Sequence, residues 1–600
     1  MLHRISTPIL LAVLLYHTYD YYQDHRLNQA VQQYASGKRE TGARQGSIHH
    51  NKPKGSDPKV YKVNEQIYVA VGYGLGNSIM LVGDDGIVII DTTESLSIAR
   101  LIAEEFRKIT NKPVKAIIYS HNHADHVMGT EAFLEHTENK SRDKVQIWAH
   151  HTFLDIFFQS TARIGKAHAV RAYHQFGVYL GDKQISAGLG SRLQVLSNDP
   201  FVLTPPNKLM RGGKERVKIA GMELELIHVP GETDDTICVH WKKHDALLGT
   251  DNFYKAFPNL YAIRGTSFRS LKQWYESLDK MRALKPRFLV MSHHEPLEGK
   301  EFISEQMATY RDAVQLVHDQ TVRFINLGMH PDEIASRIKL PERVRKNPWL
   351  QEIYGTVKWS SKGLYSGYMG WFSGDINELD PLLPKEKATR IVTLGGGMDQ
   401  TLDEASKALE QGDTKWALYL SDAAQKHSPD NARAKEMKAK ALIDMSEMQT
   451  SFNGYNYYQT AALVTMGKVT VAPSAKVKNS VIESATVKEL FNLMSSKLMA
   501  EKEECSTIDK FVKFVFPDIK QEVNFHVRNG VLDMSNVELP RVQNKKGDDE
   551  KQNRPPTTNL KVTVDSVVWK SLVKGEWQTN IKAEPSLLAL KSFMDCFERD

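Results

Sequence analysis

Residues 117–129, "IIYSHNHADHVMG", set His121, His123, Asp125 and His126 within six residues, directly after an apolar run. Three imidazoles held so close repel and desolvate one another unless something binds them. A divalent metal supplies that attraction, and imidazole nitrogen with carboxylate oxygen suits zinc. Beyond a strand end, His121 and His123 at i and i+2 point to one side. Asp125 and His126 then serve a second ion about 3.5–4 Å away. The stretch predicts a strand whose C-terminal loop holds two Zn2+ ions per chain.

The flanking sequence reads as repeated units of the same kind. "QIYVAVGYGLGNSIMLVGDDGIVIIDT" gives three short strands separated by Gly and Asp turns. "SLSIARLIAEEFRKIT" follows as a helix, then the strand "VKAIIYS" that carries the histidines. "KVQIWAH", "VKIAGMELELIHVPGETDDTICVHW", "DALLGTDN" and "RFLVMSHHEP" continue as strands that run into polar loops. Alternating strands and helices with reactive residues at the strand ends predict a layered α/β domain. Beyond about Pro296 the pattern turns helical, and "LDEASKALEQGDTKWALYLSDAAQKHSPDNARAKEMKAKALIDM" reads as helix-turn-helix repeats with "GD" and "SPDN" as turns. From about Thr486 come one amphipathic helix and alternating strands, "VKFVFP", "EVNFHVRNGVLDM" and "NLKVTVDSVVWKSLV". "QNKKGDDEKQNRPPTTN" interrupts them as a solvated loop.

A chain of 600 residues is too long for one core. Its 41% hydrophobic and 25% charged content is ordinary for a globular protein. A formal charge of +6 over this length calls for no nucleic acid, although it helps attract anions. The three cysteines are scattered and form no framework. Cys238, in "TICVHW", reads as core, and a Cys505–Cys596 bridge is left open. At the N-terminus, Arg4 precedes an apolar run from Pro8 to Tyr16 that is too short to span a bilayer. The run reads as a signal-peptide core or short anchor, which predicts export or the secretory pathway and membrane association through this segment. The alternative is a docked N-terminal helix. The sequon Asn139-Lys140-Ser141 is compatible with secretion.

The histidine loop resembles that of the metallo-β-lactamase superfamily, and three later strand ends follow that family's order. Where members have Pro-Gly-His, "VPGETDD" has Glu232. Where they have a bridging carboxylate, "LLGTDN" has Asp251. "LVMSHHEP" then offers His293, with His294 as the alternative. Taken singly, Glu232 reads as a helix cap, Asp251 as a turn residue and His293 as a surface ring. It is their order after the histidine loop that joins them.

Acids at the two middle positions resemble the zinc-dependent alkyl sulfatases, in which both are commonly glutamate. The shorter Asp251 departs from that pattern. "DNFYKAFPNLYAIRGT" resembles the branch's next segment, and makes Arg264 a sulfate anchor, a planar fork of donors matched to a tetrahedral oxyanion. "IYGTVKWSSKGLYSGYMGWFSGDINEL" resembles its Tyr-Gly-Thr and Gly-Trp-Phe segments, with Tyr354 and Tyr365 as candidate substrate donors. The branch's His-Asn pair is replaced by Trp359-Ser360.

The resemblance implies an αββα metallo-β-lactamase sandwich, an all-α dimerisation domain and a small α+β sterol-carrier-like domain. The expected bounds are 1–58 for a signal or anchor segment and linker arm, then 59–325, 326–470 and 471–600 for the three domains. It implies a homodimer that hydrolyses alkyl sulfate esters. His121, His123 and Glu232 would hold one zinc, and Asp125, His126 and His293 the other. Asp251 would bridge them, and a metal-activated water would attack. Asp125, Asp251 and Arg264 carry the expected catalysis. Two readings compete: the same metal hydrolase acting on a lactone, thioester or phosphodiester, and a lipid-binding protein with a vestigial site.

Overall fold

The structure, a computed structural model, describes residues 29, 31–34, 57–137, 142–190, 193, 199, 203–472, 475–534, 560–577 and 581–598. The N-terminal apolar run, the sequon and the polar segment 543–559 lie outside the described residues. None of the described helices is long and apolar enough to cross a membrane.

Two sheets stack face to face. The first runs β1 (Lys59–Lys62), β2 (Ile67–Val71), β3 (Ser78–Val82), β4 (Ile87–Ile90), β5 (Val114–Ile118), β6 (Gln146–His150) and β7 (Lys208–Met210), in spatial as in chain order. β1 to β4 form an antiparallel meander, whereas β4 to β7 are parallel. The second sheet holds β8 (Lys214–Ile219), β9 (Met222–His228), β10 (Ile237–Trp241), β11 (Ala246–Leu248), β12 (Phe288–Val290) and β13 (Leu297–Glu298). β11 and β12 are parallel, and the helix Leu271–Ala283 crosses between them.

Residue alternation decides which side of each strand meets the other sheet. Ile67, Val69, Ile79, Leu81, Val88, Ile90, Ala116 and Ile118 face Leu224, Leu226, Ile237, Val239, Leu248 and Val290 in one buried cluster. A Val, Leu or Ile side chain buried this way contributes about 1.5–3 kcal/mol, which makes the strand ends rigid supports. On the outer side of the second sheet, Ile227, Cys238, Leu247 and Leu289 pack against Trp274 and Leu278 of the crossing helix. Tyr310 and Val314 of the helix Lys300–Asn326 complete that layer. Sheet on sheet with helices outside follows the expected αββα architecture, and Cys238 is core as its apolar run indicates.

The later helices follow: Pro331–Arg337, Val357–Met369, Pro384–Leu394, Met398–Glu410, Thr414–His427, Ala432–Glu447 and Phe452–Thr465. Asp413 and Asn431, from the two turn motifs, accept from Trp416 N and Ala434 N and start the helices that follow them. The stretch read as an arm contributes a helical turn at 31–34. Val31 is buried among Ala439, Leu442, Ile443 and Ala462, and the Tyr34 hydroxyl donates to Asp444 Oδ2 at 2.8 Å.

The chain divides into two compact units, one of residues 1–157, 166–199 and 204–473, the other of 158–165, 200–203 and 474–600. The smaller unit has a five-stranded sheet of β14 (Lys510–Phe516), β15 (Gln521–Arg528), β16 (Val531–Asp533), β17 (Leu560–Thr563) and β18 (Lys582–Glu584), ordered β16-β15-β14-β17-β18. Phe491, Phe514, Phe525 and Trp569 fill its interior, with Phe491 4.9–5.2 Å from the other three ring centroids. One correction falls here. "NLKVTVDSVVWKSLV" is a strand only to Thr563, and Ser566–Val573 is a helix. Val568, Trp569 and Leu572 are its buried residues, a 3–4 residue spacing that buries one helix face. Cys505 and Cys596 form a disulfide across 91 residues. On chain-entropy grounds, a loop that long gains about 4–5 kcal/mol from closure.

Candidate metal centre

All the singled-out acids and histidines lie just past C-terminal strand ends, where the backbone leaves the sandwich. His121 follows β5, Glu232 follows β9, Asp251 follows β11 and His293 follows β12. Two glycines let the loops close on each other. A Cβ on Gly129 would meet Thr92 O at 2.0 Å, and one on Gly231 would meet Asn252 Oδ1 at 2.3 Å. Asn252 in turn accepts from Glu232 N at 3.0 Å and donates to Val229 O at 2.6 Å, tying the Glu232 and Asp251 loops together.

The seven expected side chains converge in two groups whose ligand atoms lie within 4.8 Å of one another: His121, His123, Glu232 and Asp251, and Asp125, His126 and His293. In the first group, His121 Nε2 and His123 Nδ1 are 2.9 Å apart, and each is 3.7 Å from Glu232 Oε2. In the second, Asp125 Oδ2 is 3.4 Å from His126 Nε2 and 3.6 Å from His293 Nε2. Asp251 Oδ2 stands between the groups, 4.0 Å from His121 Nε2, 3.5 Å from His126 Nε2 and 2.9 Å from His293 Nε2. His294 is elsewhere, its Nδ1 accepting from Lys255 N.

Partners behind these groups fix which atoms face inward. His293 Nδ1 donates to Leu75 O at 2.8 Å, leaving Nε2 for the site. Asp91 Oδ2 holds His126 Nδ1 at 2.9 Å, and the carboxylate also accepts from Ser120 N, Ser120 Oγ and Ser292 Oγ at 2.7–2.9 Å. Such carboxylate–histidine contacts set ring orientation and ligand basicity. Asp91, at φ 60° directly after β4, was not singled out from the sequence. Its only signal there is an acid at a strand end, "IIDT".

Charge balances in one half of the site and not in the other. Burial opposes protonation of His126 and His293, yet Asp125 and Asp251 hold both above the usual imidazole range. Those two carboxyls are held low against the same burial, Asp125 to about 2. Burial, with His126 nearby, pushes His121 down to about 3, and burial with His121 and Arg264 lowers His123. Glu232 is pushed up to about 8, burial and Asp251 outweighing the pull of Arg269. The first group is therefore two neutral imidazoles and a carboxyl that holds a proton near neutral pH unless a cation displaces it. Buried Glu232 Oε2, Asp251 Oδ1 and His126 Nε2 have no hydrogen-bond partner. Leaving such atoms bare costs about 1–3 kcal/mol each, and more for charged groups. Divalent cations would meet these bare atoms, and the nitrogen and oxygen donors of the two groups fit zinc.

Arg264 borders the first group. Its Nη2 is 3.4 Å from His123 Nε2, its guanidinium lies 5.8 Å from the Phe176 ring centre, and its backbone N donates to Gln175 Oε1. Arg264 is 8% exposed, and its Nη1 has no partner. Tyr354 is buried beside Tyr254, and burial raises its hydroxyl, so it stays protonated at neutral pH. Tyr365 is not drawn into this group: its ring is core and its hydroxyl donates to Ser373 O at 3.1 Å. Ser360 likewise uses its hydroxyl on Thr356 O at 2.6 Å. Another residue not singled out is Arg269, fully buried, whose Nη1 donates to Glu232 Oε1 at 2.8 Å and Asn259 O at 2.6 Å.

Known proteins resemble this chain in sequence and fold. The family model of the metallo-beta-lactamase superfamily matches residues 71–293, and that of alkyl sulfatase dimerisation matches 330–467. A linear primary-alkylsulfatase of Pseudomonas sp. (strain ATCC 19151) is 33% identical over 538 residues, 86% of this chain and 98% of the relative. The alkyl/aryl-sulfatase BDS1 of Saccharomyces cerevisiae is 26% identical, over 74% of this chain and 69% of its own. The stereoselective inverting sec-alkylsulfatase Pisa1 of Pseudomonas sp. superposes with a TM-score of 0.80 at 24% identity, over 90% of this chain and 85% of that one, and so shares the fold. With the first relative matched over nearly its whole length and both family models in chain order, the protein belongs to the alkylsulfatase family of the metallo-β-lactamase superfamily.

Proposed function

We propose that this protein hydrolyses alkyl sulfate esters to alcohol and inorganic sulfate at a site of two zinc ions. His121, His123 and Glu232 would hold one ion, Asp125, His126 and His293 the other, with Asp251 shared. Bound there, such ions supply an acidified water molecule and positive charge for an anionic leaving group. The chain's own residues do the rest. Arg264 offers the unpartnered Nη1 to a sulfate oxygen, and its buried setting strengthens that charge-assisted bond. Phe176 lies against the guanidinium, and Gln175 Oε1 anchors the Arg264 backbone N behind it. Asp91 keeps the His126 Nδ1 proton occupied, so that ring presents only Nε2. Tyr354, buried beside Tyr254, remains a neutral hydroxyl donor.

One observation carries this reading: three orphaned ligand atoms and an orphaned guanidinium nitrogen share a single buried cluster. Stripping the metal with a chelator is expected to lower sulfate release from a medium-chain alkyl sulfate at least about 100-fold. Added Zn2+ is expected to restore it. Turnover that survives in chain shown by mass spectrometry to hold no metal would end the proposal.

A homodimer is proposed with it. Trp371, Ile376, Leu383 and Leu394 are 72–91% exposed, and all lie in the stretch that matches the dimerisation model. Exposed apolar residues gathered in one segment support a protein partner, here a second copy. Leu383→Asp combined with Leu394→Asp is expected to weaken self-association at least about tenfold in sedimentation velocity. A parent chain that sediments as a monomer at micromolar concentration rules the dimer out.

A further inference from the structure

Glu232 differs from its neighbours in how it is held. His126 is backed by Asp91 and His293 by a backbone carbonyl, both acceptors that suit an imidazole N–H. Glu232 is backed by a cation. Arg269 and Glu232 are each about 2% exposed at the side chain, and Arg269 Nη1 reaches only one of the two carboxyl oxygens, Oε1. The other oxygen, Oε2, is bare and faces His121 Nε2 and His123 Nδ1 at equal distances of 3.7 Å. Arg269 is itself anchored by Asn259 O, and by Thr266 Oγ1 3.4 Å from its Nε.

Charge makes that contact consequential. A carboxylate brings one more negative charge to the first group than an imidazole would, and the buried guanidinium in contact with it offsets that charge. With its carboxyl ionised, as a metal ligand must be, Glu232 together with Arg269 presents one donor atom and no net charge, as a neutral imidazole does.

We propose that Arg269 is a positioning residue that turns Glu232 into a one-oxygen, charge-neutral ligand. It takes up Oε1, leaves Oε2 as the single metal-facing atom, and sets the affinity of the first group for its cation. The proposal rests on the two-cation reading above. It extends that reading to a side chain that touches neither substrate nor metal.

Metal content separates the two ideas. Parent, Arg269→Met, Glu232→His and the double variant are dialysed against a graded series of a zinc chelator, and ions per chain are counted by native mass spectrometry. Arg269→Met is expected to lose one of the two ions at about 10- to 100-fold lower chelator concentration than the parent. Glu232→His alone is expected to bind no better, because it strands the Arg269 charge in the interior. The double variant, neutral at both positions, is expected to regain the second ion, and Co2+-loaded samples should show the return of its visible absorption band.

Two ions held at parent affinity by Arg269→Met would overturn the proposal. So would a folded double variant that holds one ion no better than its single-site parents. Loss of fold in Arg269→Met that the double variant does not repair would overturn it too, by making the arginine's role structural. A parent chain that retains no divalent ion removes the two-cation reading itself, and the proposal falls with it; the parent's own count tells this result from the others.

Discussion

Asp251→Asn is expected to lower sulfate release by roughly 1,000-fold or more and to leave fewer than two ions per chain. The size of the effect follows from position. Among the described residues, Asp251 Oδ2 is the one carboxylate atom within 4.0 Å of histidines from both groups. Asparagine keeps the volume and one oxygen but supplies no charge. Two dications brought about 3.5–4 Å apart repel strongly in a buried site, and a shared carboxylate is what screens them. The same change puts a neutral amide where a carboxylate lies 2.9 Å from His293 Nε2, so the charge that holds this ring is lost as well. Inductively coupled plasma mass spectrometry on the purified variant, with a sulfate-release assay on the same sample, gives both readings. Two ions per chain and activity within tenfold of the parent would remove Asp251 from the centre of the mechanism.

What could be read before folding depended on distance along the chain. The histidine loop is legible because four donors within six residues have no comfortable metal-free state. Glu232, Asp251 and His293 are legible through the resemblance, since each stands at a strand end in the order that the metallo-β-lactamase superfamily follows after its histidine loop. Asp91 and Arg269 are not. Asp91 meets His126 from 35 residues away, and Arg269 meets Glu232 from 37. An isolated acid or arginine in a loop has many ordinary uses that local sequence does not separate. The strands could be read from β-branched runs set between Gly and Asp turns, and the helices from 3–4 residue spacing. That rule failed at Ser566–Val573, where a β-branched run read as strand but the buried residues repeat with helical spacing. Tyr365 shows a different limit. Its place in a familiar segment suggested a substrate contact, yet a backbone carbonyl eight residues on takes its hydroxyl.

Arg264→Ala is the second change expected to act strongly, and it separates recognition of sulfate from the metal chemistry. The buried guanidinium has one nitrogen without a partner, and no ion pair to Arg264 occurs among the described residues. An unpaired buried cation is costly unless an anion arrives to meet it. Removing it is expected to lower kcat/KM for alkyl sulfates by about 100- to 1,000-fold, the loss typical of one preorganised donor to developing negative charge. Lysine in its place is expected to recover only part of that loss, since it offers a point charge and lacks the planar fork. Metal content should stay at the parent value in both variants, because Arg264 meets His123 at Nε2 while Nδ1 is the nitrogen turned toward His121 and Glu232. Comparing a neutral lactone with an alkyl sulfate on the same two variants decides between the competing substrates. A site built for sulfate ester loses the sulfate activity selectively, whereas equal, small losses on both would make Arg264 a packing residue and return the substrate to the wider range of metallo-β-lactamase hydrolases.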